Sequence, residues 1–190
     1  VIRFPALLDE LIDPLLGRHI PGPEDLARSV GRILDAAPGT EAVLEALNYL
    51  KLATALRIAV GQLQGELDGE AARLALSGLA DAVLAGVLEI ARREIVERHG
   101  CFAGEPDDGS LAIIGYGSLG ARELGYESDL DIVFLFDTPG RAAGSPDGPQ
   151  FDDMQSGGTR PLPPERYFAR LAQRILSFLT VMTPSGRLYE

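Results

Sequence analysis

Gly115-Tyr116-Gly117-Ser118-Leu119-Gly120 runs out of one apolar segment, and Asp129-Leu130-Asp131 opens a second, eleven residues after Ser118. Few local patterns constrain a fold as tightly. A glycine-rich turn brings backbone N–H groups against phosphate oxygens. Carboxylates two residues apart on a strand share a face, because side chains alternate with a period of two. Two such acids together with phosphate oxygens suit Mg²⁺, which keeps several waters and takes one or two carboxylates from a protein. The pairing reads as nucleotidyl transfer from a nucleoside triphosphate.

Gly115-x-Gly117-x-x-Gly120 also fits a dinucleotide-binding fingerprint, with Asp137 near the distance of a ribose-binding acid. Strand direction separates the two readings. In a parallel βαβ unit the end of the first strand neighbours the end of the second, which favours Asp137 and strands Asp129 and Asp131 at the far edge. In an antiparallel pair the end of one strand meets the start of the next, which brings Ser118 close to Asp129 and Asp131. The connection 121–128 contains Gly125 and is short for a crossover helix. Antiparallel pairing and nucleotidyl transfer are therefore expected.

Charge narrows the acceptor. Seventeen Lys+Arg against 28 Asp+Glu leave a net charge of −11, whereas polyanion binding depends on neutralising phosphates with basic side chains. The expected acceptor is a protein or small molecule, not nucleic acid. The most apolar helical segment is interrupted by Asp81, Glu89, Arg92 and Arg93, so no membrane partner is expected. The single cysteine, Cys101, forms no internal disulfide, which agrees with a cytoplasmic protein. The chain starts at Val1 and stops at Leu188-Tyr189-Glu190 inside an expected strand, and reads as an excerpt of a longer protein.

Residues 1–100 read as a helical bundle. Pro14 limits a first segment, and Pro23-Glu24-Asp25 starts a helix running to about Ala36. Thr40 is expected to cap the next, with Leu52, Leu56, Ala59 and Leu63 as its stripe. Asp68 is expected to cap a fourth, with Leu76, Leu79, Val83, Val87 and Ile90 on one face and His99-Gly100 at its end. Residues 111–116 and 129–137 read as strands, the second with Ile132 to Phe136 as a buried run. Residues 138–163 form a long Gly/Pro/Asp/Ser-rich connection. A last helix from Pro163-Pro164-Glu165 to about Thr183 carries Tyr167, Leu171, Ile175, Phe178 and Met182 on one side. Pro184-Ser185-Gly186 is a turn before a strand from Arg187. The class is α+β: a helical bundle in 1–100 followed by a partial nucleotidyltransferase domain with a mixed sheet in 101–190.

The stretch from Gly115 to Leu135, GYGSLGARELGYESDLDIVFL, resembles the catalytic signature of the glutamine synthetase adenylyltransferase family, and its adenylylating C-terminal domain in particular. Tyr167–Ile175, Ser185–Glu190, Pro5–Leu11 and Lys51–Gly61 are similar to the same family. Gly-Ser with Asp-x-Asp alone would indicate only the wider DNA polymerase beta-like superfamily. The resemblance implies ATP-dependent, Mg²⁺-dependent transfer of AMP to a tyrosine hydroxyl of glutamine synthetase, with PII signalling proteins among the regulators. It implies that Gly117 and Ser118 hold the triphosphate and that Asp129 and Asp131 bind the metal. Ser118 stands where the family carries lysine, and Ala121 where it carries a second glycine. A third metal carboxylate is expected just beyond Tyr189-Glu190.

Arg166, Arg170 and Arg174 repeat at i, i+4 and fit either the triphosphate or a solvated helix face. His19 and His99 have no Cys or His partner at zinc spacing. The competing class is an interaction module in which the helical part docks a partner and the transferase half is inactive.

Overall fold

A computed structural model describes residues 19–100, 111–136 and 159–189. In order these form α1 (Pro23–Ala36), α2 (Thr40–Leu63), α3 (Gly69–His99), β1 (Leu111–Gly115), α4 (Gly117–Gly120), β2 (Ile132–Phe136) and α5 (Pro164–Thr180). The expectation built on Pro14, and the connection up to residue 158, lie outside the described residues. The fold is α+β, with long helices and a two-stranded antiparallel sheet.

Local chemistry explains the helix ends. Pro23 occupies the first turn of α1, and the Asp25 carboxylate accepts the Gly22 N–H at 3.1 Å. Ala37 is extended and precedes Pro38, whose ring disfavours a helical predecessor. Gly39, not Thr40, takes the N-cap of α2; Thr40 is the first helical residue. Asp68 caps α3 as expected, its Oδ1 accepting the Ala71 N–H at 2.8 Å. Gly100 ends that helix at φ +72°, a left-handed conformation that glycine adopts cheaply.

The chain forms two compact units interleaved along the sequence: residues 1–87, 115–131 and 178–190, and residues 88–114 and 132–177. In the first unit Leu26 and Val30 of α1, Leu47 and Ile58 of α2, and Leu79 and Val83 of α3 are buried. Each such side chain is worth about 1.5–3 kcal/mol of transfer free energy. A Cβ on Gly86 would meet Val30 at 3.0 Å and Leu47 at 3.1 Å, so α3 approaches both neighbours closely there. The expected stripe of α3 is buried throughout. That of α2 is not: Leu52, Leu56 and Ala59 are half-buried and Leu63 is 87% exposed. The buried face is Val43, Leu44, Leu47, Thr54, Ile58 and Gly61. Apolar residues surround α2, so period alone could not choose its face.

By length and composition α3 could also cross a membrane, contrary to the sequence expectation. Here it is a core helix, and Asp81 at its middle pairs with Arg122.

In the second unit Tyr167, Phe168, Leu171 and Ile175 of α5 are buried with Ile90 and Ile95 of α3. Phe136 stacks on Phe168 with ring centroids 5.0 Å apart. Arg174 pairs with Glu94 at 2.6 Å. His99 lies between the Arg160 carbonyl, at 2.6 Å from Nδ1, and Arg170, at 3.2 Å from Nε2. Two expectations fail in this part of the chain. Met182 falls beyond the end of α5 and is 66% exposed. In β2, Val133, Leu135 and Phe136 are exposed; Val133 and Leu135 lie on the opposite face from Ile132 and Phe134, which are half-buried.

The turn at Pro184-Ser185 is closed by a Thr183–Gly186 bridge and held by the Asn48 amide, which donates to the Gly186 carbonyl at 3.0 Å. Residues 187–189 are irregular, not a strand. The Lys51 ammonium donates to the Arg187 and Leu188 carbonyls and lies 4.9 Å from the Tyr189 ring centroid. Burial pushes the Tyr189 phenol pKa well above its ordinary 10.0, and the charge of Asp81 pushes it further.

A raised phenol pKa favours folding fully below pH 10 and is lost as pH climbs toward the folded value. Stability should therefore fall above pH 10, by up to about 1.4 kcal/mol per pH unit. Burial lowers the Lys51 pKa, which acts in the opposite sense over the range below its unfolded value. Tyr189→Phe is expected to reduce the alkaline loss, leaving the opposing slope of Lys51 and the contribution of Tyr126, whose phenol pKa burial also raises. Denaturant unfolding between about pH 9 and 11 reads it; an unchanged slope in the variant would place the titrating group elsewhere.

Candidate functional site

The turn between β1 and β2 requires its glycines for three different reasons. A Cβ at Gly120 would lie 2.5 Å from the Gly115 carbonyl oxygen, a backbone atom that cannot swing aside. One at Gly115 would lie 2.9 Å from Leu119, whose side chain is buried under the turn. Gly117 has φ +53°, and a Cβ there would sit 2.5 Å from Asp131 Oδ2. The space left by the missing side chain of Gly117 is filled by a carboxylate.

That contact decides between the readings of the glycine motif. The Tyr116 N–H donates to the Asp131 carbonyl at 2.7 Å, so the end of one extended segment meets the start of the next. Residues 121–131 contain turns and irregular backbone, with no crossover helix. The parallel unit that a dinucleotide fold requires is absent from this connection. β2 itself starts at Ile132, three residues later than expected, yet alternation already holds before it: Asp129 and Asp131 are exposed while Leu130 between them is buried.

Gly117, Ser118 and Asp131 are thus brought together, and Asp129 shares the exposed side with Asp131. Ser118 is half-buried in the single turn of α4, its carbonyl accepting the Glu123 N–H at 2.8 Å. Neither aspartate is in an ion pair among the described residues. Two hard carboxylates on one exposed face fit Mg²⁺ as a donor set. Among the described residues no third His, Cys, Asp or Glu joins them in a metal-holding group. Arg170 and Arg174, weighed above as triphosphate ligands, are engaged with His99 and Glu94. An open groove of about 1350 Å³ flanked by α1 and α2 contains none of the site residues expected from the sequence.

The contacts that sequence reasoning missed hold this turn from outside. Arg122, at φ +61°, pairs with Asp81 of α3. The Leu124 N–H donates to Ser77 Oγ at 3.3 Å, and the Tyr126 hydroxyl donates to Gln62 at 2.5 Å. The partners are 41, 47 and 64 residues apart, so no local pattern could reveal them.

Fold and site together define an α+β protein with a glycine turn packed against an Asp-x-Asp pair. The family model for glutamate-ammonia ligase adenylyltransferase matches residues 1–190, and the chain belongs to that family. It is 43% identical over 187 residues to a bifunctional glutamine synthetase adenylyltransferase/adenylyl-removing enzyme of Xanthomonas oryzae, covering 98% of this chain and 18% of that protein. Proteins of the same description from Nitrosococcus oceani and Pseudomonas aeruginosa are 37% and 38% identical, over 99% and 100% of this chain and 19% of each relative. The chain thus spans about a fifth of the length of these relatives.

Proposed function

We propose that this chain carries the nucleotide-transfer site of a protein adenylyltransferase, which moves AMP from ATP to a tyrosine hydroxyl of glutamine synthetase. The observation that carries the reading is the Asp131 carboxylate seated in the space vacated by the Gly117 side chain. It puts Asp131 beside the turn of Gly117 and Ser118, as a metal-binding acid next to a phosphate-binding turn requires. On this reading residues 101–190 are catalytic and residues 1–100 are their helical support. The acidic balance disfavours a nucleic-acid acceptor, and the relatives' description names glutamine synthetase, a protein; a cytoplasmic setting is proposed on the single cysteine of the sequence. The PII signalling protein is proposed as a regulator on the family resemblance alone.

The chemistry is substitution at the α-phosphorus. The tyrosine oxygen forms a bond to it and gives up its hydroxyl proton to solvent, the bond to the bridging oxygen of the β-phosphate breaks, and pyrophosphate leaves with that electron pair. Gly117 and Ser118 would hold the triphosphate, the positive φ of Gly117 letting backbone approach phosphate closely. Asp129 and Asp131 would hold Mg²⁺. Bound there, the metal would orient the α-phosphate and offset the charge that develops on the attacking and leaving oxygens. Ser118 supplies a hydroxyl and backbone N–H without the charge of a lysine, so more of the neutralisation falls to the metal.

The test is incubation with glutamine synthetase and ATP labelled in either the α- or the γ-phosphate, using this chain and one extended to the relatives' length. Label from the α-phosphate alone should reach the acceptor. Transfer of γ-label, or no transfer by the extended protein, would overturn the proposal.

A further inference from the structure

The Tyr116 N–H to Asp131 carbonyl bond and the Asp131 carboxylate over Gly117 join the glycine turn to the second acid at the ends of the connection, while residues 121–128 between them make no ladder of their own. The contacts within 117–131 are short-range: Arg122 N–H to the Leu119 carbonyl, Glu123 N–H to the Ser118 carbonyl, and Gly125 N–H to Ser128 Oγ. Each closes a small loop. From residues 121–128 three side-chain hydrogen bonds reach other elements, and all three end on α2 or α3.

Ser77 is fully buried, and its hydroxyl donates to the Arg73 carbonyl at 2.9 Å. With its proton committed there, its lone pairs face the Leu124 N–H, itself buried under Leu124. One turn along the same face of α3, Asp81 pairs with the Arg122 side chain; the left-handed backbone of Arg122 closes the end of α4, where the Arg122 and Glu123 N–H groups bond the Leu119 and Ser118 carbonyls. One helix face thus grips residues 122 and 124 midway between the turn and the acids.

We infer that Ser77 and Asp81 of α3 are positioning residues that set the register of Gly117 and Ser118 against Asp129 and Asp131. The assignment rests on the nucleotide reading above but reaches residues that touch neither phosphate nor metal in that reading. Asp81 tethers the Arg122 side chain to α3 by charge. Ser77 fixes the backbone at Leu124 by accepting a buried N–H. Loss of either leaves the Tyr116–Asp131 bond as the remaining restraint and loosens the connection that carries Asp129.

The experiment compares Ser77→Ala, Asp81→Asn and the charge-retaining Asp81→Glu with the unaltered chain. Calorimetry gives the Mg²⁺ dependence of ATP binding, and nitrogen–proton correlation spectra without ligand follow the amides of Gly117 and Gly120. Ser77→Ala and Asp81→Asn should each raise the Mg²⁺ concentration for half-maximal ATP binding about tenfold, as outer-shell substitutions commonly do. Both should move the two glycine resonances, and Asp81→Glu should restore them. Unmoved resonances in folded Asp81→Asn would overturn the inference, whatever the chain does with ATP. Moved resonances in a chain that shows no Mg²⁺-dependent ATP binding would retain the positioning role and sink the nucleotide reading instead. Asp81 is exposed, so its variants keep the test available if Ser77→Ala fails to fold.

Discussion

Asp131→Asn should lower AMP transfer by at least about a hundredfold while leaving the melting temperature nearly unchanged. Removing one electrostatic group from a transfer site costs on this order. Asparagine is close to isosteric with aspartate, so it can occupy the same space over Gly117 without new contacts. The side chain is exposed, and exposed substitutions away from packed features usually stay within about 0.5 kcal/mol. The fold should therefore survive while the negative charge opposite the turn disappears. Asp129→Asn should act in the same direction, since both acids lie on one side of buried Leu130. Transfer rates, with a Mg²⁺ titration of ATP binding, provide the measurement. Full activity with unaltered metal dependence in both variants would remove these residues from the site.

Gly120→Ala should damage the fold more than any other single methyl added to the turn. The new Cβ would fall 2.5 Å from the Gly115 oxygen and 3.1 Å from its carbonyl carbon, and neither atom can leave without moving the end of β1. Overpacking of this kind costs about 1–3 kcal/mol. For a chain of this size that is a melting-temperature loss of about 2–4 °C for each kcal/mol. Gly117→Ala makes the informative contrast. Its Cβ meets a side-chain oxygen of Asp131, which can rotate away, although φ +53° adds strain for any L side chain. Gly120→Ala should thus lose both stability and ATP binding. Gly117→Ala should lose ATP binding with the smaller drop in melting temperature. The reverse order by differential scanning calorimetry would show that the turn relaxes around residue 120.

The contrast also shows what the sequence made legible. Helix starts were readable because their determinants are local: Pro23 in a first turn, Asp68 three residues before an N–H it accepts. The stripe expected on α3 falls on its buried face, although apolar residues such as Leu74 also lie on its exposed side. The face of α2 was not readable, since apolar residues on every side give the period nothing to select. The glycine turn and the two acids were recognisable as types, and antiparallel pairing could be argued from the short connection. That Gly117 is required by Asp131, fourteen residues later, is a three-dimensional fact with no local trace. The same holds for Ser77, Asp81 and Gln62, whose partners lie tens of residues downstream.

The left-handed backbone at Arg122 has a practical consequence for anyone ranking variants of this protein by heat resistance. A non-glycine residue in that conformation costs about 1–2 kcal/mol, and its half-exposed ion pair with Asp81 returns at most about 1 kcal/mol. Glycine at position 122 would relieve the first while forfeiting the second, so the two changes nearly cancel or even favour the variant. A melting screen would pass such a protein as improved. What it would have lost is the ion pair that ties the segment leading to both acids to α3, and thermostability-guided engineering would discard that tether without any warning in its own readout.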